Sequence, residues 1–188
     1  HPGIPSSDRL EQIRIERRRQ LGIARDDLSV LFLGQKSMDK VFEVDAYRDM
    51  CEMVGKAMEL AQKSSDFVPY LRPHPSEPVP ETERVLRKYH IDCLLVSREE
   101  SLVKDVAAAD LVLGMHSGAL EEAHLMGKPI VQMIPPRSAP PLDFRCIGAR
   151  QVKSPEELAA VLTNPASITV GPLPDRPPVS DLVAGRVV

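Results

Sequence analysis

The amino-acid sequence predicts an α/β fold: a Rossmann-like, doubly wound parallel sheet with helices on both faces. Three features predict it. Short apolar runs, mostly uninterrupted by charge, recur along the chain, as expected of strands buried on both faces. Longer stretches with apolar residues at helical spacing lie between them. The links are short, so each strand leads into a helix that must cross back, and right-handed crossovers place such helices on both faces. A length of 188 residues suits one domain of this kind.

Taken in order, Ser7 or Asp8 can cap a first helix that runs to about Gln20, with Leu10, Ile13 and Leu21 on one side and Gly22 as its stop. Leu28–Leu33 reads as the first strand. Asp45–Gln62 is helical, and its Tyr47, Met50, Cys51, Val54, Met58 and Leu60 read as core packing. Phe67–Leu71 is the second strand. Pro80–Tyr89 is a helix opened by a first-turn proline and by Glu81 and Glu83. The strands Asp92–Val96, Asp110–Leu113 and Pro129–Ile134 alternate with helices over Ser101–Ala108 and Ser117–Met126, the latter closed by Gly127. Ser154, Pro155, Glu156 and Glu157 form an N-cap, a first-turn proline and two acids leading a last helix through Leu162. Beyond Asn164, Pro172, Pro174, Pro177 and Pro178 bar a regular element. The expected division is a Rossmann-like domain over 1–164 and a Pro-rich tail over 165–188 that wraps something else.

Composition narrows the function. A formal net charge of −3 argues against nucleic-acid binding. The one basic run, Arg14, Arg17, Arg18 and Arg19, reads as the solvated face of the first helix. The alternative is a phosphate- or lipid-facing patch, and with it peripheral membrane association. The three cysteines, Cys51, Cys93 and Cys146, show no metal-binding spacing. Cys51 and Cys93 sit in apolar surroundings and read as buried thiols of a reducing compartment, so the expected location is cytoplasmic. No apolar run approaches the roughly 18 residues of a membrane helix. The chain opens at His1-Pro2-Gly3 without a Met, as after a tag remnant or a truncation; truncation at a domain boundary is the expectation, with a partner lobe preceding it.

In doubly wound sheets ligands bind beyond the carboxyl ends of the strands, so those residues carry the functional reading. Gly34, after the first strand, permits either a plain turn or close ligand approach. After the second strand, Pro73, Pro75 and Pro78 stiffen a loop that holds Arg72, His74 and Ser76. A forked guanidinium and an imidazole there suit a phosphate or pyrophosphate, the alternative being a surface turn. After the fourth strand, Gly114-Met115-His116-Ser117-Gly118-Ala119 turns straight into a helix. Helix-start amides form an anion site, Gly118 leaves room for a phosphate, and Ser117 can bond it. Glu121 or Glu122 can then reach a ribose diol. The alternative is a capping box that serves only stability. Pro135-Pro136-Arg137-Ser138 offers one more cation at the same edge. His90 and His124 read as structural.

The stretch Ala107–Ile134 resembles the C-terminal lobe of GT-B-type glycosyltransferases and of the related sugar-nucleotide 2-epimerases. The resemblance lies in Asp110 opening a strand, in Ser117-Gly118 and Glu121-Glu122 after it, and in Gly127-Lys128-Pro129. Arg72–Pro75 resembles the His-Pro motif of bacterial sialyltransferase-like and capsule Kdo-transferase-like enzymes. The resemblance implies the donor-binding lobe of a bacterial glycosyltransferase acting in glycan or capsule synthesis. Its CMP- or UDP-sugar would be bound as substrate, with no cofactor and no metal. His74 would be the catalytic candidate, with Ser117 contacting the same phosphate. An N-terminal acceptor lobe would supply the general base. A UDP-sugar 2-epimerase, with Asp92 or Glu77 as acid or base, and a non-catalytic nucleotide-sugar-binding module are the alternatives.

Overall fold

The computed structural model describes residues 4–34, 46–61, 66–75, 79–136 and 143–171. Gln35, Lys36, Ser37, Ser76, Glu77, Arg137, Ser138 and the prolines from Pro172 onward lie outside the described residues.

The expected α/β fold is present. A six-stranded, all-parallel sheet has the order β3-β2-β1-β4-β5-β6. Its strands are β1 (Ser29–Leu33), β2 (Val68–Arg72), β3 (Leu94–Leu95), β4 (Leu111–Gly114), β5 (Ile130–Met133) and β6 (Arg150–Val152). The helices are α1 (Ser7–Leu21), α2 (Ala46–Ala61), α3 (Val79–Lys88), α4 (Leu102–Ala108), α5 (Ala119–Leu125) and α6 (Pro155–Thr163). Every residue of β1, β4 and β5 is buried, which is why these runs carry no charge.

Alternate residues of β1 point into two different cores. Val30 and Phe32 join the cluster under α2 and α6, whereas Leu31 and Leu33 join the one under α1, α4 and α5. The methionine stripe of α2, Met50, Met53 and Met58, is core packing. Cys51 is buried beside it, Cys93 is half-buried and Cys146 is exposed; all are free thiols. Burial, with Asp92 adding to it, pushes the Cys93 thiol up to about 12.

Helix ends follow the local chemistry in most cases. Gly22 and Gly127 take positive φ, 70° and 73°, just past α1 and α5. Ser154 caps α6 by accepting from the Glu157 amide, while the Glu157 carboxylate accepts from the Lys153 amide. At α1 the expected cap is displaced: Ser6 takes that position and makes no side-chain cap bond, and Ser7 and Asp8 are already helical.

The basic run of α1 departs most from expectation. Arg17 and Arg18 are 7% and 4% exposed, so neither a solvated face nor a lipid-facing patch describes them; Arg14 is half-buried and Arg19 is exposed. Arg17 pairs with the fully buried Asp105 of α4 at 2.8 Å. Arg18 donates to the Ser29 hydroxyl, to Asp110 and to the carbonyls of Ala24, Asp27 and Ala108. Arg14 reaches the other oxygen of Asp110 at 2.9 Å. The spacing explains it, because Arg14, Arg17 and Arg18 share the inward helical face with Leu10, Ile13 and Leu21. Burial pushes Asp110 up, but the Ser29 amide and hydroxyl and the Arg14 guanidinium outweigh it and hold the carboxyl below its usual range.

Two further elements differ. β6 has no counterpart among the expected strands; it is short and partly polar, and its register against Val131–Met133 is set by tertiary pairing. After α6 a 3-10 turn follows at Pro165–Ser167, and Ile168 joins the core. Gly171 then crosses Gly148 so closely that a Cβ on Gly148 would lie 2.4 Å from the Gly171 Cα. No described helix is long and apolar enough to cross a membrane.

Candidate functional site

The strand order reverses direction between β1 and β4, the point at which a doubly wound sheet opens a crevice beyond its carboxyl edge. Phe32 stands opposite Leu113, and Leu33 stands opposite Arg72. These registers bring Gly34, the Arg72–His74 segment and the Met115–Gly118 turn to that edge together. Gly34, Arg72, His74, His116, Ser117 and Gly118 thus share one edge.

Gly34 is needed by the protein itself. Its amide donates to the Arg72 carbonyl at 2.7 Å. A Cβ there would lie 2.8 Å from both the Arg72 oxygen and the His74 nitrogen. The close approach that glycine permits is thus backbone on backbone, and it seats His74 against the end of β1. Arg72 turns inward. It pairs with Asp105, which Arg17 holds from the other side, and its second amino group donates to the carbonyls of Arg98 and Glu100. Its donors tie the loop after β3 to the sheet edge. The Tyr70 hydroxyl, donating to the Asp105 carbonyl at 2.7 Å, completes this anchorage. His74 is half-buried.

The turn after β4 is tighter than the sequence suggests. Ser117 and Gly118 precede α5, whose seven residues begin at Ala119 with Gly118 as the N-cap. The Ser117 hydroxyl accepts from the Ala119 amide at 3.2 Å. The amides of Leu120, Glu121 and Glu122 bond back to the carbonyls of Ser117 and Gly118. The early amides of α5 are therefore engaged within the turn. His116 is half-buried, and burial lowers its pKa. Gly118 and not Ser117 is the N-cap, with no side-chain cap bond; Glu121 is exposed and Glu122 half-buried.

Gly118 stands apart from the other glycines of this edge. Its φ is −56°, open to any residue, and a Cβ there would meet nothing within 4 Å among the described residues. Gly114, by contrast, packs under Leu120.

Two residues escaped the sequence reading. Asp105 is one: with Asp110, noted there only as the residue that opens a strand, it anchors the arginines, and an acid in a short apolar helix was the available signal. Gln132 is the other. It is fully buried in β5, donates to the Met115 carbonyl at 3.0 Å and accepts from the Phe144 amide and the Gln151 side chain. A glutamine inside Pro129–Ile134 was the mark of it. His124 is also fully buried, and neither ring nitrogen has a hydrogen-bond partner among the described residues. His90 follows α3 at φ 54°. Asp92 is exposed at the amino end of β3, the edge of the sheet away from the crevice. Among the described residues no group of three or more His, Cys, Asp or Glu side chains could hold a metal ion.

No family model and no curated protein matches the chain. Solved structures do match its fold. The wall teichoic acid polymerase TagF aligns with a TM-score of 0.59 and 12% identity, over 86% of this chain and 40% of that one. The E. coli ADP-heptose LPS heptosyltransferase II aligns with a TM-score of 0.56 and 16% identity, over 88% of this chain and 54% of that one. UDP-GlcNAc 2-epimerase from Neisseria meningitidis, solved with UDP-GlcNAc, aligns with a TM-score of 0.56 and 16% identity, over 85% of this chain and 41% of its own. The chain spans about half or less of the length of these proteins. At such identities the likeness establishes the fold: this chain has the Rossmann-like architecture of one lobe of the GT-B-type enzymes and their epimerase relatives.

Proposed function

We propose that this chain is the nucleotide-sugar-binding lobe of a glycosyltransferase that takes a CMP- or UDP-sugar as donor substrate, in the synthesis of a bacterial glycan or surface polysaccharide. The observation that carries the reading is Gly118. Neither its backbone conformation nor its described surroundings require a glycine. A ligand phosphate that must approach the turn closely does require one. The site lies at the crevice where such ligands bind in doubly wound sheets.

In this reading His74 donates to the phosphate that leaves the sugar, and His116 and Ser117 border the same phosphate across the crevice. Donors fixed in place before the reaction stabilise charge that develops on a leaving group. The Ser117 oxygen accepts from Ala119, so its own proton remains to be given. Glu122 or Glu121 takes the ribose diol. Gly34 and Arg72 act on the ligand through the protein, by seating His74 and the neighbouring loop. The acceptor lobe, with the general base, belongs to the remaining length that the structural neighbours have and this chain does not span.

Calorimetric titration with CMP, CDP, UDP and GDP tests the proposal. Saturable binding of a cytidine or uridine nucleotide is expected, weakened about tenfold or more, roughly 1.4 kcal/mol, by His74→Ala and by Gly118→Leu. Both variants should melt within a few degrees of the parent. Equal affinity in parent and variants, or no binding of any nucleotide, would overturn it.

A further inference from the structure

We propose that Gln132 is the positioning residue of the donor site, holding the His116–Gly118 turn in its binding geometry through the Met115 carbonyl. The inference rests on the donor-site reading for its ligand but on Gln132's own bonds for its mechanism. A buried amide in an otherwise apolar strand is costly unless its hydrogen bonds are made, and those of Gln132 are made to specific places. Its side-chain N–H donates to the backbone one residue before His116. Its carbonyl accepts from the Phe144 amide, at the start of the 3-10 turn Phe144–Ile147, and from Gln151 of β6. Gln151 also donates to Asp143, which Arg145 grips. One side chain therefore ties the turn after β4 to the 3-10 turn that precedes β6. An apolar residue of the same size would fill the space and leave the Met115 carbonyl unbonded, free to swing with the turn it belongs to.

Gln132→Glu separates this role from packing. Its protonated carboxyl can donate to the Met115 carbonyl and still accept from Phe144; its ionised carboxylate repels that carbonyl. Burial raises the pKa of such a carboxyl above its ordinary value near 4.3, so it ionises at a higher pH than an exposed glutamate. Among the described residues, the ionisable groups linked to the position are Asp143 and Arg145 through Gln151, His116 next to Met115, and Arg150 next to Gln151 on β6; His124 lies on α5 in the same turn-helix unit. All are present in the parent, so the variant-to-parent ratio at each pH removes their own titration.

The experiment measures CMP and UDP affinity and amide hydrogen exchange for parent, Gln132→Glu and Gln132→Leu at pH 5, 6.5 and 8. The ratio of Gln132→Glu affinity to parent affinity should fall about tenfold or more across that range, and Gln132→Leu should bind weakly throughout. Exchange at Ala119–Glu122, whose amides bond back to Ser117 and Gly118, should quicken about tenfold in Gln132→Leu, and in Gln132→Glu at pH 8 only, while α6 amides keep the parent rate. A flat ratio, or parent-like exchange at these four amides, overturns the proposal. If the parent binds neither nucleotide, the donor-site reading falls and exchange alone decides whether Gln132 holds the turn.

Discussion

At the scale of single residues, main-chain and guanidinium bonds between strand ends build the crevice edge: the Gly34 amide bonds the Arg72 carbonyl, and the Arg72 side chain turns in to Asp105. Sequence shows which residues reach an edge but not which way a guanidinium turns. The partner of Arg72 is Asp105, 33 positions away. Gly34 illustrates the same limit, since the atoms that demand it belong to another strand's end. Gly34→Ala would press its Cβ against the Arg72 oxygen and the His74 nitrogen, which are backbone atoms and cannot rotate aside. The substitution is expected to cost about 1–3 kcal/mol in urea unfolding and to weaken nucleotide binding as His74 shifts. Parent-like stability would show that the two strand ends separate freely.

At the scale of elements, hydrophobic periodicity located each described α-helix within a few residues, and capping chemistry fixed the start of α6. It missed β6, because three residues with an exposed arginine carry no pattern of their own. It also misjudged α1, where charge was taken as a sign of solvent although the arginines kept the inward spacing. One buried carboxylate holds an arginine of α1 and an arginine of β2 to α4. Asp105 faces Arg17 and Arg72 with none of its side chain exposed. Asp105→Ala leaves two largely buried guanidinium groups without their anion, and removing one partner of a buried pair costs about 3–5 kcal/mol. Denaturant titration should show a loss of that size. A change below about 1 kcal/mol would mean that water or a neighbouring acid replaces the carboxylate.

At the scale of the whole molecule, the alternation of runs and helices was enough to give the layers, since a parallel sheet with short links has few ways to be wound. Global stability should also carry the mark of one lysine. Lys128 donates to the carbonyls of Ala107 and Ala109, which seal the end of α4. Burial, helped by Arg14, lowers its pKa to about 8. An unfolded lysine keeps its proton to about pH 10.4. Between these values the unfolded chain binds the extra proton, so this residue makes stability rise with pH over that window. Urea midpoints of the parent, measured against Lys128→Met from pH 7 to 10, should show the parent gaining relative to the variant above pH 8. A constant difference would place the folded-state titration outside that range.

The crossing of Gly171 over Gly148 bears on how this sequence can drift. Where two side chains collide, a smaller residue on one side makes room for a larger one on the other, and pairs of positions change together. Here each glycine would push its first carbon into the main chain of the other, 2.4 Å away on one side and 2.6 Å on the other. No second substitution can shorten a backbone. In a library that varies every position, these two should come back as single-letter columns with no covariation between them, a pattern easily mistaken for a catalytic pair.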